Sequence, residues 1–364
     1  MRILWLTWKD RRNPTSGGAE LVNEELCNRL ASDGHEVTLL TAGFRGARAI
    51  EMIDGYQVIR VGGRWSVYWR AWRYYRKNLR GWADVVIDEM NTVPFFARWY
   101  VKEPNLLFVH QLCREIWFHE MWFPLSAIGY LLESVYLRLL RRSAVITVSE
   151  STRADLVRHG FDPALIQVIP EGIQLAPSVA LAPKPQPPTL LAFGSIRSMK
   201  QTHHALRAFE VAKRELPSLK LIVAGDARGS YGARVLRMIS RSPYRNDIES
   251  LGPVSAVEKV ALYRRASLLL ATSIKEGWGL TVTEAESQGT PAIVYDVDGL
   301  RESVGSGGVI CAQNTPEEMA ACIVRTLADA ASYETMRRRA VTFASRFTFD
   351  RTYQKFLTCL PPVR

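Results

Sequence analysis

Two carboxylates, Glu276 and Glu284, stand eight positions apart in the run Ser273-Ile-Lys-Glu276-Gly277-Trp278-Gly279-Leu280-Thr-Val-Thr-Glu284-Ala285. The run follows an apolar stretch ending at Ala271 and opens a helical pattern. Gly277 and Gly279 let the chain turn tightly and bring backbone N–H groups close to an anion, to which a helix N-terminus adds favourable partial charge. A diphosphate or a sugar suits such a place. Glu276 falls on the loop and Glu284 in the early turns of the helix, where the Cβ direction tilts back toward the N-terminus, so the pair can address two parts of one ligand. A plainer reading makes Glu276 a turn residue and Glu284 a solvated helix residue favoured by the dipole. The run by itself leaves both open.

The elements around this run are regular. Arg2–Thr7, Glu36–Thr41, Tyr56–Val61, Asp84–Ile87, Asn105–Val109 and Ala144–Val148 are apolar, β-rich runs, and segments of helical length separate them. Alternation of this kind predicts right-handed βαβ units and a parallel sheet covered on both faces. After Gln167–Ile169 comes Pro170-Glu171-Gly172, then a proline-rich stretch from Pro177 to Pro188 that suits neither a helix nor an inner strand. The alternation restarts with Leu190–Phe193, Leu219–Ala224, Ser267–Ala271 and Ala292–Tyr295, and Ser255-x-x-Glu258 and Thr315-Pro316-x-Glu318 read as helix capping boxes. The predicted fold is α/β, with two Rossmann-like, doubly wound parallel-sheet domains facing across a cleft. The expected divisions are 1–176, a linker at 177–188, and 189–345. Ligands of open α/β sheets bind at the carboxyl ends of the strands, where the Glu276 loop lies and where His110 ends the strand Asn105–Val109.

The run from Ser273 to Ala285 resembles the E-x7-E element of glycosyltransferase family four, and the resemblance extends over nearly the whole chain. Thr147-Val-Ser149-Glu150-Ser151, Ile169-Pro170-Glu171-Gly172, Ala224-Gly225-Asp226 and Leu251-Gly252-Pro253-Val254 sit where such enzymes have similar runs. The resemblance implies the GT-B fold and a retaining enzyme. It places donor-sugar hydroxyls at Glu276, the nucleotide ribose at Glu284, and phosphates and sugar at the amides of Gly277, Trp278, Gly279 and Leu280. Gly194-Ser195-Ile196-Arg197-Ser198-Met199-Lys200 looks like the family's glycine–arginine–lysine phosphate clamp, with Ser195 where the arginine often stands and Arg197 supplying the guanidinium from a shifted position. Gly17-Gly18 resembles the glycine-rich loop that approaches the donor phosphates, and His110 matches a histidine near the reacting centre. Val254 is carried over as a backbone contact to the base. Residues 346–364 are expected to return to the first domain, as in relatives.

The implied reaction moves a hexosyl group from a nucleotide-sugar donor to a glycan, glycolipid or other hydroxyl acceptor, as in polysaccharide biosynthesis. UDP-hexose such as UDP-glucose is favoured, with GDP-mannose second. No cofactor and no metal are expected. Asp296-Val297-Asp298 has the D-x-D form of the other large glycosyltransferase fold, but it is followed by Gly299-Leu-Arg-Glu302, which resembles a family-four loop that needs no metal ligand. The alternatives are a nucleotide-sugar epimerase or phosphorylase of the same fold, or a non-catalytic nucleotide-sugar or polyanion binder.

Composition agrees. With 364 residues, 47% of them apolar, the chain can bury a large core. Its five scattered cysteines include no C-x-x-C pair, so neither a disulfide framework nor a zinc site is expected. The first apolar stretch is too short for a signal peptide, and none is long enough to span a membrane, so a cytoplasmic protein is expected, with a place at the inner face of a membrane as the extension of that reading. A formal charge of +11 suits anionic partners, but no nucleic-acid-binding signature accompanies it. Between Arg64 and Trp82, Trp65, Tyr68, Trp69, Trp72, Tyr75, Leu79 and Trp82 recur at helical spacing, with Arg70, Arg73, Lys77 and Arg80 on another face. This reads as a basic amphipathic helix packed on its own sheet, or alternatively as a peripheral contact with an anionic membrane.

Overall fold

A computed structural model of the chain describes residues 1–178 and 180–362. One residue of the expected linker, 179, and the last two of the expected C-terminal segment, 363 and 364, lie outside the described residues. The chain forms two compact units. The first comprises Met1–Arg114, Ile128–Gly172 and the last helix, Phe349–Cys359; the second comprises Glu115–Ala127 and Ile173–Thr348.

The first unit is built on β1 (Arg2–Leu6), β2 (Glu36–Thr41), β3 (Ile50–Ile53), β4 (Tyr56–Arg60), β5 (Val85–Met90), β6 (Asn105–Val109), β7 (Ala144–Thr147) and β8 (Ile166–Val168), in sheet order β3-β4-β2-β1-β5-β6-β7-β8. Every pairing is parallel except β3 with β4. The strands are near-continuous apolar runs because helices cover both faces. Trp5 of β1 is fully buried, stacked on Phe356 of the last helix at 5.6 Å. That helix packs through Phe349, Tyr353 and Phe356, and the Tyr353 hydroxyl donates to Asp33 at 2.7 Å.

The second sheet holds β9 (Thr189–Phe193), β10 (Lys220–Ala224), β11 (Ile248–Gly252), β12 (Leu268–Ala271), β13 (Ala292–Val294) and β14 (Val309–Ile310), all parallel, in order β11-β10-β9-β12-β13-β14. The Ser255–Glu258 box is present in both directions, whereas Thr315 caps its helix alone and the Glu318 carboxylate is engaged by Arg325. The proline-rich stretch lies against the second unit. Arg337 donates to the Ala182 carbonyl at 2.7 Å and Gln288 to that of Ala176 at 2.9 Å.

Four strands were not foreseen: β3, β8, β11 and β14. The hairpin β3–β4 turns at Asp54-Gly55, both with positive φ, as a two-residue primed turn requires. β11 and β14 are outer strands of the second sheet, and their runs are polar or short. The segment Arg64–Trp82 forms helix Val67–Tyr74 and a single π-helical turn, Tyr75–Leu79. Its buried positions are Val67, Ala71, Tyr75 and Leu79, so the side facing the sheet is offset from the tryptophan stripe, and Trp65 and Trp69 are exposed. Among the described residues no helix is long and apolar enough to cross a membrane.

Candidate functional site

β9 and β12 are neighbours, so the loops at their carboxyl ends lie side by side. The loop after β9 carries Gly194, Arg197 and Lys200; the loop after β12 carries Ser273 and Glu276. They are tied together: the Thr272 hydroxyl donates to the Lys200 carbonyl at 2.8 Å, and the Ile274 amide to that of Met199 at 2.9 Å. A crevice between them is lined by Gly194, Ser195, Lys200, Ser273 and Glu276. Inside it the Lys200 ammonium forms an ion pair with Glu276, whose carboxylate also accepts from the Ser273 hydroxyl at 2.5 Å. Arg197 stands apart. It is half-exposed and its Nε lies 3.8 Å from Glu120, which also accepts the Met199 amide at 3.1 Å.

The turn into helix Leu280–Ser287 depends on two glycines. Gly279 has φ 108°, and a Cβ there would meet the Ser303 hydroxyl at 2.7 Å. Gly299 has φ 79°, and a Cβ would lie 2.4 Å from the Glu276 carbonyl oxygen. Only glycine allows the second loop to back the first so closely. The Trp278 ring is buried against Phe347, and its indole N–H donates to Thr283, so its backbone is the part available to a ligand.

Glu284 is not a solvated helix residue. It is buried, with the Lys259 ammonium at 2.6 Å and the Tyr263 hydroxyl donating at 2.8 Å. Lys259 and Tyr263 lie one turn apart on helix Ala256–Arg265, which the Ser255–Glu258 box starts. Sequence reasoning found that box but not the pair, whose spacing behind it was the available signal. Val254 lies at the start of this helix and packs partly on the core. Asp296 and Asp298 are engaged by cations: Arg301 lies 2.5 Å from the first and 3.4 Å from the second, and Lys275 3.8 Å from Asp298.

In the first unit His110 ends β6 between two carboxylates. Its Nδ1 lies 3.1 Å from Glu171 and its Nε2 3.4 Å from Glu89, where no hydrogen bond is made. Burial alone would lower its pKa; the Glu171 bond and the two negative charges outweigh burial and push it up to about 10. The two carboxylates thus favour the charged imidazolium form of His110. Glu89 also accepts from Asn23 at 2.6 Å and Asn91 at 2.9 Å, and Asn91 reaches Glu20 at 3.4 Å. Glu20 takes the Gly17 amide at 2.5 Å and lies 3.6 Å from Lys9. One polar network thus links His110 with the exposed Gly17-Gly18 loop at the start of helix Gly18–Ser32. Sequence reasoning missed Glu89, Asn91 and the part played by Glu171.

The family described as "Glycosyltransferase Family 4" matches residues 16–176, and "Glycosyl transferases group 1" matches 178–343. The chain belongs to glycosyltransferase family four. It is a glycosyltransferase with the GT-B type of fold. The glycogen synthase of Mycobacterium tuberculosis is 26% identical over all of this chain and 94% of its own length. Sucrose-phosphate synthase from Thermosynechococcus elongatus has a similar structure, with a TM-score of 0.80 at 18% identity, covering 98% of this chain and 97% of that one. Anabaena HepE in complex with UDP-glucose matches with a TM-score of 0.75 at 19% identity, covering 99% and 100%. The family match and these folds agree with the two parallel-sheet domains expected from the sequence.

Proposed function

We propose that this family-four enzyme is a retaining hexosyltransferase that takes a nucleotide-sugar donor, UDP-hexose such as UDP-glucose ahead of GDP-mannose, and glycosylates a hydroxyl of a glycan or glycolipid. The observation that carries the reading is the pairing of Lys200 with Glu276 beside the glycine turn into helix Leu280–Ser287, with Glu284 held by Lys259 and Tyr263 on that same helix. The UDP-glucose bound by Anabaena HepE supports the choice of donor.

In this reading the diphosphate binds at the amides of Gly277, Trp278, Gly279 and Leu280 and at Gly194, takes Lys200 as its counter-cation, and frees the Glu276 carboxylate to accept sugar hydroxyls. Arg197 joins by turning away from Glu120. Glu284, already oriented, accepts the ribose hydroxyls, and Val254 borders the base. Gly17 and Gly18 offer amides to an anion, and His110 offers a charged N–H to a ligand oxygen. The bond between the anomeric carbon and the phosphate oxygen breaks as the acceptor oxygen bonds to the same face of that carbon. The acceptor proton passes to the departing phosphate, and Lys200 stabilises the charge left there. Because Asp296 and Asp298 are paired with Arg301 and Lys275, the reading requires no metal bridge. It also includes peripheral contact of Arg64–Trp82 with the inner face of a membrane.

Nucleoside diphosphate release from a panel of donors tests the reading. Release in proportion to acceptor is expected; donor isomerisation without acceptor would make the chain an epimerase, and donor binding without turnover a binder. A nucleoside diphosphate at 100 times its dissociation constant should add about 2.7 kcal/mol of stability, so a thermal-shift comparison of UDP with GDP reports the base.

A further inference from the structure

Helix Leu125–Leu140 leaves a long apolar face in water. Ile128, Leu131, Leu132, Val135 and Leu139 are 48% to 63% exposed and recur with the spacing of a single helical stripe. The helix contains one acid, Glu133, which is buried on the other side and accepts the amides of Cys113 and Arg114 at 2.8 and 2.7 Å. Arg138, Arg141 and Arg142 are exposed at its C-terminal end. Five neighbouring aliphatic side chains are more than scattered surface residues usually amount to. Yet 16 residues are fewer than the roughly 20 that span a bilayer.

The stripe continues in the same layer. The connections β4 to β5, β5 to β6 and β6 to β7 all step one way across the sheet. Right-handed crossovers therefore put helix Val67–Tyr74, the turn Ala97–Trp99 and helix Leu125–Leu140 on one face. Aromatic rings join them: Tyr68 to Phe95 at 4.9 Å, and Phe96 to Trp99 at 5.1 Å and to Tyr136 at 6.3 Å. In this layer Trp65, Trp69 and Trp99 are 75%, 60% and 53% exposed. The stretch 64–82 contributes six cations and no acid.

We propose that this face docks flat on a bilayer containing anionic lipids. Helix Leu125–Leu140 is the inserted element, the three tryptophans sit at headgroup level, and the arginines pair with lipid phosphates. The proposal rests on the peripheral contact suggested above for Arg64–Trp82 and makes a different helix its principal element. A second copy of the chain is a poorer occupant, since a two-fold contact places the same patch on both partners and would bring the arginine fringes together.

The test is co-sedimentation of the full chain with vesicles of phosphatidylcholine alone or of equal parts phosphatidylcholine and phosphatidylglycerol. Binding to the mixed vesicles is expected, weakened by salt. It should fall by on the order of a hundredfold in an Ile128→Ser/Leu131→Ser/Leu132→Ser protein, since three aliphatic side chains are withdrawn from the apolar contact. UDP binding by that protein should be unchanged, which separates loss of docking from loss of the transferase fold. Wild-type binding in the triple variant, with loss only in an Arg70→Glu/Arg73→Glu/Lys77→Glu protein, would overturn the role of helix Leu125–Leu140 and leave the contact at Arg64–Trp82. Failure to bind either vesicle, or a concentration-dependent dimer abolished by the triple substitution, would overturn the bilayer as occupant.

Discussion

Lys200 and Glu276 neutralise each other across the crevice, and that pairing suggests how binding and chemistry are coupled. In the proposed reading a diphosphate competes for the ammonium, and the released carboxylate becomes an acceptor for sugar hydroxyls. Because negative charge on the leaving group grows in the transition state, Lys200→Ala should lower turnover by roughly a hundredfold and change donor affinity less. Steady-state kinetics on the folded variant checks this, and near-normal turnover would remove Lys200 from the mechanism. His110 makes a separate prediction. Its pKa rises from 6.5 to about 10 in the fold, so its contribution to stability is whole below pH 6.5 and is lost as pH climbs through about 10. Glu171→Gln removes the carboxylate bonded to Nδ1. The variant should lose most stability, relative to the parent, on the acid side of that window, and urea midpoints across it should converge toward pH 10. Parallel pH profiles would show that Glu171 does not hold the imidazolium.

Helix Leu280–Ser287 holds two glutamates in opposite circumstances. Glu284 is paired with Lys259, whereas Glu286 is buried with neither oxygen hydrogen-bonded among the described residues, and burial alone pushes its pKa well up. Burial therefore favours the protonated carboxyl in the fold, while in the unfolded chain it ionises above about 4.5. The native state then binds more protons, and stability falls as pH rises past that value. Glu286→Gln, which cannot ionise, should flatten the decline in melting temperature between pH 4.5 and neutrality, and an unchanged slope would mean that Glu286 ionises in the fold. The helix is positioned by packing as well as by charge. Gly307 is close enough that a Cβ would meet Glu286 at 2.7 Å, and Gly299 backs the Glu276 turn.

For the whole molecule, the proposed reading gives the phosphate charge partners other than a metal: Lys200, Arg197 and the amides at the start of helix Leu280–Ser287. Transfer should therefore survive excess EDTA with protein stripped of metal beforehand, and Asp298→Asn should not introduce a metal-dependent defect. Nucleoside diphosphate release with and without chelator measures this. Activity lost on chelation and restored by manganese or magnesium would mean that the phosphate site has been misplaced.

Much of the architecture was legible in the chain because parallel strands covered on both faces are written as apolar runs, and most of those runs became strands within a residue or two. The hairpin β3–β4 was not read, although Asp54-Gly55 marks its turn, because its first strand is short and half polar; β11 and β14 gave even less periodicity to read. The E-x7-E run and the glycine turn were visible because loop chemistry demands particular residue types at fixed spacing. What tertiary structure decided was partnership. Lys200 meets Glu276 only because β9 and β12 are sheet neighbours, although 76 positions separate the two residues. Glu284 meets Lys259 and Tyr263 across 25 and 21 positions, and His110 meets Glu171 across 61 and Glu89 on the neighbouring strand β5. Strand order brings such charges together, and no local pattern encodes it. Exposure was decided in the same way: the packing of the layer beneath leaves Leu131 and Leu132 facing water.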